Sequence, residues 1–116
     1  MFINLSNHPS VCWGEDQLQA ARQIGEIVDI HFPNIEPEFT SSMVNNLADI
    51  TVNNIMGFGK DIVVHVMGEM TFTYAVVSRL KQLGVKCLAS TTERNTVIMP
   101  DGKKVSDFKF VQFREY

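Results

Sequence analysis

Asp61-Ile62-Val63-Val64-His65-Val66 is a short, almost unbroken apolar run rich in β-branched residues, set between two stretches of helical periodicity. A strand with one wet face alternates apolar and polar residues, whereas a strand covered on both faces does not, so this run reads as a central strand of a parallel sheet. Downstream, Met67-Gly68-Glu69-Met70 is a loop. A helix begins near Thr71, with Phe72, Val76, Leu80 and Leu83 on one face and Gly84 as its stop, and Val85 to Ser90 follows as a fourth strand. Upstream, Val44, Leu47, Ala48, Thr51 and Ile55 fall at offsets of 0, 3, 4, 7 and 11, the stripe of an amphipathic helix. Thr40, Ser41 and Ser42 are its candidate caps, and Gly57-Phe58-Gly59 ends it.

Further out, Ile27-Val28-Asp29-Ile30 is a second strand, after which Pro33 and Pro37 keep the chain irregular up to Thr40. A helix of about ten residues starts at Glu15, with Leu18, Ala21 and Ile24 three apart and Gly25 behind them. Phe2, Ile3 and Leu5 form the first strand, cut off by Ser6-Asn7-His8-Pro9-Ser10. Strands alternating with helices require right-handed crossovers and hence a parallel sheet with helices on its faces. At the other end, Asn95 to Met99 and Val105 to Phe113 flank Pro100-Asp101-Gly102-Lys103, and Asp-Gly between apolar runs is a hairpin signal. The expectation is one α/β domain over residues 1–116: a Rossmann-like, mainly parallel sheet of about four strands, three helices and a C-terminal β-hairpin.

Composition narrows the function. The chain has 116 residues, 45% apolar and 20% charged, the proportions of one globular core. With 13 acids against 10 bases the net charge is −3, which argues against the broad basic footprint of a duplex-binding protein. No apolar run approaches the roughly 20 residues of a membrane span, and the N-terminal residues lack the plan of a secretory signal, so a cytoplasmic location is expected. Cys12 and Cys87 have no CxxC spacing and suit reduced thiols better than a disulfide framework or a zinc site. No pair of histidines shares a helical spacing with a carboxylate, so neither a metal nor a cofactor is expected.

In an open parallel sheet, ligands bind beyond the carboxyl ends of the strands. Three segments expected there carry chemistry. Met67-Gly68-Glu69-Met70-Thr71 runs into a helix whose free amides favour an anion, with Gly68 allowing close approach, although it is neither GxGxxG nor a Walker loop. Gly68 as a plain turn residue and Thr71 as a plain cap is the alternative. Ser90-Thr91-Thr92-Glu93-Arg94 supplies three hydroxyls and a guanidinium, donors suited to phosphate and sugar, or else a polar turn in which Arg94 pairs with Glu93 or Glu69. Ser6, Asn7 and His8 end the first strand, with His8 a candidate proton donor or acceptor. His65, on an apolar strand, reads as a hydrogen-bonded core residue. Cys12 lacks an evident activating base, and Trp13 either stacks on a base or packs its loop onto the first helix.

Read in order, Ser6-Asn7-His8-Pro9, Gly68-Glu69-Met70-Thr71-Phe72, Ala89-Ser90-Thr91-Thr92-Glu93-Arg94, Asp101-Gly102 and the ending Phe110-Val111-Gln112-Phe113-Arg114-Glu115-Tyr116 give the chain a likeness to a known group. It resembles the small stand-alone CRISPR-associated Rossmann-fold (CARF-like) proteins of type III CRISPR antiviral defence, some of them ring nucleases. The resemblance implies a homodimer that binds a cyclic oligoadenylate, cyclic tetra-adenylate foremost, and cleaves it without metal. A ribose 2′-hydroxyl attacks the adjacent phosphorus, which switches the second messenger off. Carried over by position, Ser6, His8 and Arg94 are the catalytic candidates, and Asn7, Gly68, Glu69, Thr71, Thr91 and Thr92 the ligand-binding ones. Two other functions remain open: a sensor or sponge that binds the ring without cutting it, and a protein-interaction adaptor.

Overall fold

The computed structural model describes residues 1–116. In chain order the elements are β1 (Phe2–Ser6), a 3₁₀ turn (Ser10–Cys12), α1 (Glu15–Ile24), β2 (Ile27–His31), α2 (Ser41–Met56), β3 (Val63–Met67), α3 (Met70–Gln82), β4 (Lys86–Ile98) and β5 (Lys104–Glu115). They form one five-stranded sheet in the order β2-β1-β3-β4-β5, in which β5 runs antiparallel to β4 and the other neighbours are parallel. The chain steps one way from β1 to β2 and the other way from β2 to β3 to β4. With right-handed crossovers this puts α1 on one face and α2 with α3 on the other.

The two faces are packed differently. Ile3, Leu5, Val64 and Val66 join α2 and α3 in a cluster of 17 buried residues. On the α1 side the cluster is only Phe2, Trp13, Ala21 and Leu88, with Phe113 of β5 packed against it. α2 is capped by Thr40, whose Oγ1 accepts the Met43 N–H at 3.2 Å.

The sequence expectation needs correction at β4. Thr91-Thr92-Glu93-Arg94 is not a loop after the fourth strand; that strand runs on to Ile98 and is itself the first arm of the hairpin. The reason is its partner. β5 pairs with it from Leu88↔Glu115 to Ile98↔Lys104, so the backbone groups are satisfied although most side chains there are exposed, and one irregularity between Thr91 and Thr92 marks where the sheet becomes a two-stranded arm. The arm closes at Gly102, whose φ of 85° is one that a side chain resists, and Met99 N–H donates to Lys103 O at 2.7 Å. The radius of gyration, 15.9 Å, exceeds the ~13 Å of a compact chain of this length because the arm projects.

Candidate functional site

Strand order reverses at β1, which lies between β2 and β3, and the loops after β1 and β3 leave the same edge there. The edge is also open. Pairing of β3 with β4 ends at His65↔Leu88, and beyond it the Tyr116 hydroxyl donates to Val66 O at 2.6 Å while Ser90 N–H turns to Met67 Sδ at 3.1 Å. The aromatic end of the chain thus closes the β3–β4 seam from one side. Above the opening lies a groove of about 760 Å³, walled by Ser6, Asn7, His8, Cys12, Trp13, Gln17, Met67 and Gly68 on one side and by Thr92, Asn95, Asp107, Phe108, Lys109 and Phe110 of the arm on the other. Its floor holds His65 and Ser90.

The floor is built from strand alternation. β1 turns Phe2, Asn4 and Ser6 to the α1 face, and the register puts Asn4 between Asp29 of β2 and His65 of β3. Asn4 Nδ2 donates to Asp29 Oδ1 at 2.8 Å and to His8 O at 2.9 Å, and Asn4 Oδ1 lies 2.9 Å from His65 Nδ1. His65 Nε2 lies 2.7 Å from Ser90 Oγ, which accepts from Gln17 Nε2 of α1 at 3.0 Å. The result is a continuous hydrogen-bonded row from β2 to α1 through three other strands. Burial, with repulsion from His8 behind it, lowers the His65 pKa to about 4, so the ring is neutral at ordinary pH. Burial alone would raise the Asp29 carboxyl, but bonds from the Ser10 hydroxyl, Asn4 and the Ser10 amide outweigh it and hold the group below its usual range.

This row also pins the loop after β1. His8 O receives the Trp13 indole N–H at 3.0 Å besides Asn4 Nδ2, and Ser10 Oγ donates to Asp29 Oδ2 at 2.6 Å. Trp13 is buried edge-on against Phe2 and His65, so it packs the loop and presents no free face to a base.

Of the residues singled out from sequence, Ser6, Asn7, His8, Gly68 and Thr92 meet at the groove. Ser6 is buried and serves the loop: its hydroxyl lies 2.8 Å from Asn4 Oδ1 and accepts the His8 N–H at 3.2 Å. The anion seat expected at the start of α3 is already filled. Glu69 is the cap, its carboxylate accepting from Phe72 N at 2.8 Å, Thr71 N at 3.0 Å and Thr71 Oγ1 at 2.7 Å, bonds that hold its pKa below the usual value. α3 accordingly starts at Met70, and Glu69 and Thr71 stay outside the groove. Gly68 has a packing reason to lack a side chain, since a Cβ there would sit 2.2 Å from the Phe32 ring.

Thr91 is used up at the strand irregularity, its Oγ1 donating to Gln112 O at 3.0 Å and accepting Gln112 N–H at 3.2 Å. Arg94 lies on the arm beyond the groove, 3.2 Å from Ser106 Oγ and 5.9 Å above the Phe108 ring. It pairs with neither Glu93 nor Glu69; the two ion pairs of the molecule are Arg22–Glu15 and Arg79–Asp49. Cys12 is exposed at the groove wall, while burial, the largest influence, raises the Cys87 thiol to about 11.

The chain belongs to the uncharacterized protein MJ1673 family. The match spans residues 1–114, which takes in the groove, the polar row and the whole arm up to the penultimate residue of β5. No curated protein and no solved structure matches the sequence.

Sequence reading placed His65 in a hydrogen-bonded interior, where it lies, but did not join it to Ser90, Asn4, Asp29 and Gln17. One signal was present: Asn4 interrupts Phe2-Ile3-Asn4-Leu5 in a strand that is buried at every position. A polar side chain at such a position requires a partner.

Proposed function

We propose that the groove binds a cyclic oligoadenylate, cyclic tetra-adenylate foremost, and opens it as a metal-independent phosphodiesterase of the CARF-like, Rossmann-like kind that the sequence resembles, ending a type III CRISPR signal in the cytoplasm. The observation that carries this reading is the arm-side wall. It combines the rings of Phe108, which is 63% exposed, and Phe110 with the cation Lys109 beside the polar strand ends, and Arg94 stands farther out on the same arm; neither cation is in an ion pair. Aromatic faces accept stacked bases and unpaired cations accept phosphates. Exposed Val97, Ile98, Met99, Val105 and Val111 along the same arm suit a homodimer in which two arms enclose one ring.

In the reaction, the sugar hydroxyl attacks its neighbouring phosphorus and the 5′-oxygen leaves, so the protein has to bend the ring into line, take one proton and return one. His8, exposed at the groove lip, is the donor to the leaving oxygen. Thr92 and Lys109 meet the ring inside the groove, and Arg94 meets an outlying phosphate.

Incubation with cyclic tri-, tetra- and hexa-adenylate in chelator, with the products resolved, is the direct test. Linear products ending in 2′,3′-cyclic phosphate are expected, and absence of binding to any ring overturns the reading. Arg94→Ala weakens ring binding by about 1.5–3 kcal/mol if its guanidinium makes a charge-assisted phosphate contact. His8→Ala slows cleavage with binding retained; equal rates in variant and parent remove it as the acid. A second reading, binding without turnover, is favoured by one observation: Glu69 occupies the α3 amides, so that helix terminus is closed to the phosphates. Saturable binding with no product would establish it in place of the first.

A further inference from the structure

One pair on the groove floor has no part in the chemistry described so far, the Ser90 hydroxyl and the His65 imidazole, 2.7 Å apart. The direction of every proton between them is fixed from the far end of the row. Ionised Asp29 only accepts, so Asn4 turns Nδ2 toward it and Oδ1 toward His65. Asn4 Oδ1 also only accepts, so Nδ1 carries the ring proton and the neutral ring keeps a lone pair on Nε2. Ser90 therefore donates to Nε2. Gln17 Nε2 donates to the Ser90 oxygen at 3.0 Å, which leaves one lone pair of that oxygen for a ligand in the groove.

We infer that Ser90, His65 and Asn4 form a proton relay in which Ser90 Oγ takes the proton of a hydroxyl brought against it while its own proton passes to His65 Nε2. The inference rests on the proposed function for its substrate class, an alcohol that is itself the nucleophile beside a phosphodiester. The 2′ O–H bond breaks as a new O–H bond forms on Ser90, and the Ser90 proton bonds to Nε2. The 2′-oxygen bonds to phosphorus, and the bond from phosphorus to the 5′-oxygen breaks with its electron pair on that oxygen, which takes a proton from His8 in its imidazolium form. Afterwards the proton on His65 returns through Ser90 to water, and His8 regains one from water.

Ser90 is the catalytic residue of this step; His65 and Asn4 are positioning residues that hold its proton and its direction. The titratable and charged groups around the ring are Asp29 across Asn4, His8 above it, Cys12 and Asp16 along the α1 wall, and Asp107 and Lys109 on the arm. Asn4 Oδ1 is placed to meet the imidazolium as it forms, with the Asp29 charge directly behind.

The test is single-turnover cleavage of cyclic tetra-adenylate in chelator across a pH series, parent against Ser90→Ala, with ring affinity measured alongside. The variant is expected to be about 100-fold slower near neutral pH, with its deficit shrinking about tenfold per pH unit as hydroxide replaces the missing base. Ring affinity is expected to stay within about threefold, since the interaction is made in the transition state. A variant as fast as the parent, or a deficit constant with pH, overturns the relay. A second arm does not need the ring. The parent is treated with a fluorophosphonate, where Ser90 Oγ bonds to phosphorus, fluoride leaves and the proton goes to His65. Modification of Ser90 ahead of the exposed Ser41 and Ser42 in the same molecule supports the relay, and Ser90 left unmodified overturns it. If the parent neither binds nor cuts any ring while Ser90 is modified, the functional reading falls and the relay stands.

Discussion

β1 sends Ile3 and Leu5 to one side of the sheet and Phe2, Asn4 and Ser6 to the other, and the two sides are held by different forces. The α2/α3 side is a continuous apolar cluster, stabilised in proportion to the area it removes from water. The α1 side buries few apolar groups and spends its central position on hydrogen bonds that contribute little net stability but fix directions. One side makes the sheet stable, and the other makes its edge specific. Damage to the first should therefore show in unfolding, and damage to the second in chemistry and in pH response.

The largest expected effect is on the apolar side. Phe72, fully buried and edge-on to Phe32, leaves a cavity as alanine and costs about 3–5 kcal/mol. Urea midpoints measure it, while the folded fraction keeps its ring affinity; a loss of affinity in the folded protein would merge the two sides.

The next effect concerns acid. His65 has a folded pKa of about 4 against 6.5 for the free side chain, so between these values the unfolded chain binds the proton and the folded one resists it. Stability is complete above pH 6.5 and falls as the pH drops toward 4, by about 3 kcal/mol in total. Asp29, whose pKa is lowered, adds a loss in the same direction below its ordinary range. His65→Gln should flatten the upper part of this curve, and superimposable curves for variant and parent would show that the row does not carry the pH response.

The smallest effect separates the groove from α3. Glu69→Ala removes the cap and costs about 1 kcal/mol in thermal or urea unfolding, with ring binding unchanged. Binding that collapses in this variant would return α3 to the site.

These contrasts also explain what could be read in the sequence. Periodicity located the three α-helices, and short apolar runs the four parallel strands; burial on the α2/α3 side imposes the spacing of Val44, Ala48, Thr51 and Ile55 and of Phe72, Val76 and Leu80. The extension of β4 was not legible. Its residues from Glu93 onward are exposed and obey no burial pattern, so only the partner strand makes them a strand. The site was half legible: Ser6 to His8 and Gly68 stand out as polar or glycine residues at strand ends. The row itself was not, since Asp29, Asn4, His65 and Ser90 are brought together by lateral register, which has no spacing along the chain.

β4 belongs to two bodies. Up to Leu88 it is braced by β3, beyond Thr92 only by β5, and Ser90 sits at the transfer between the supports. The ribbon residues that wall the groove and the Ser90 oxygen are thus carried on one continuous strand pair, whereas His65 is flanked by β1 on one side and β4 on the other.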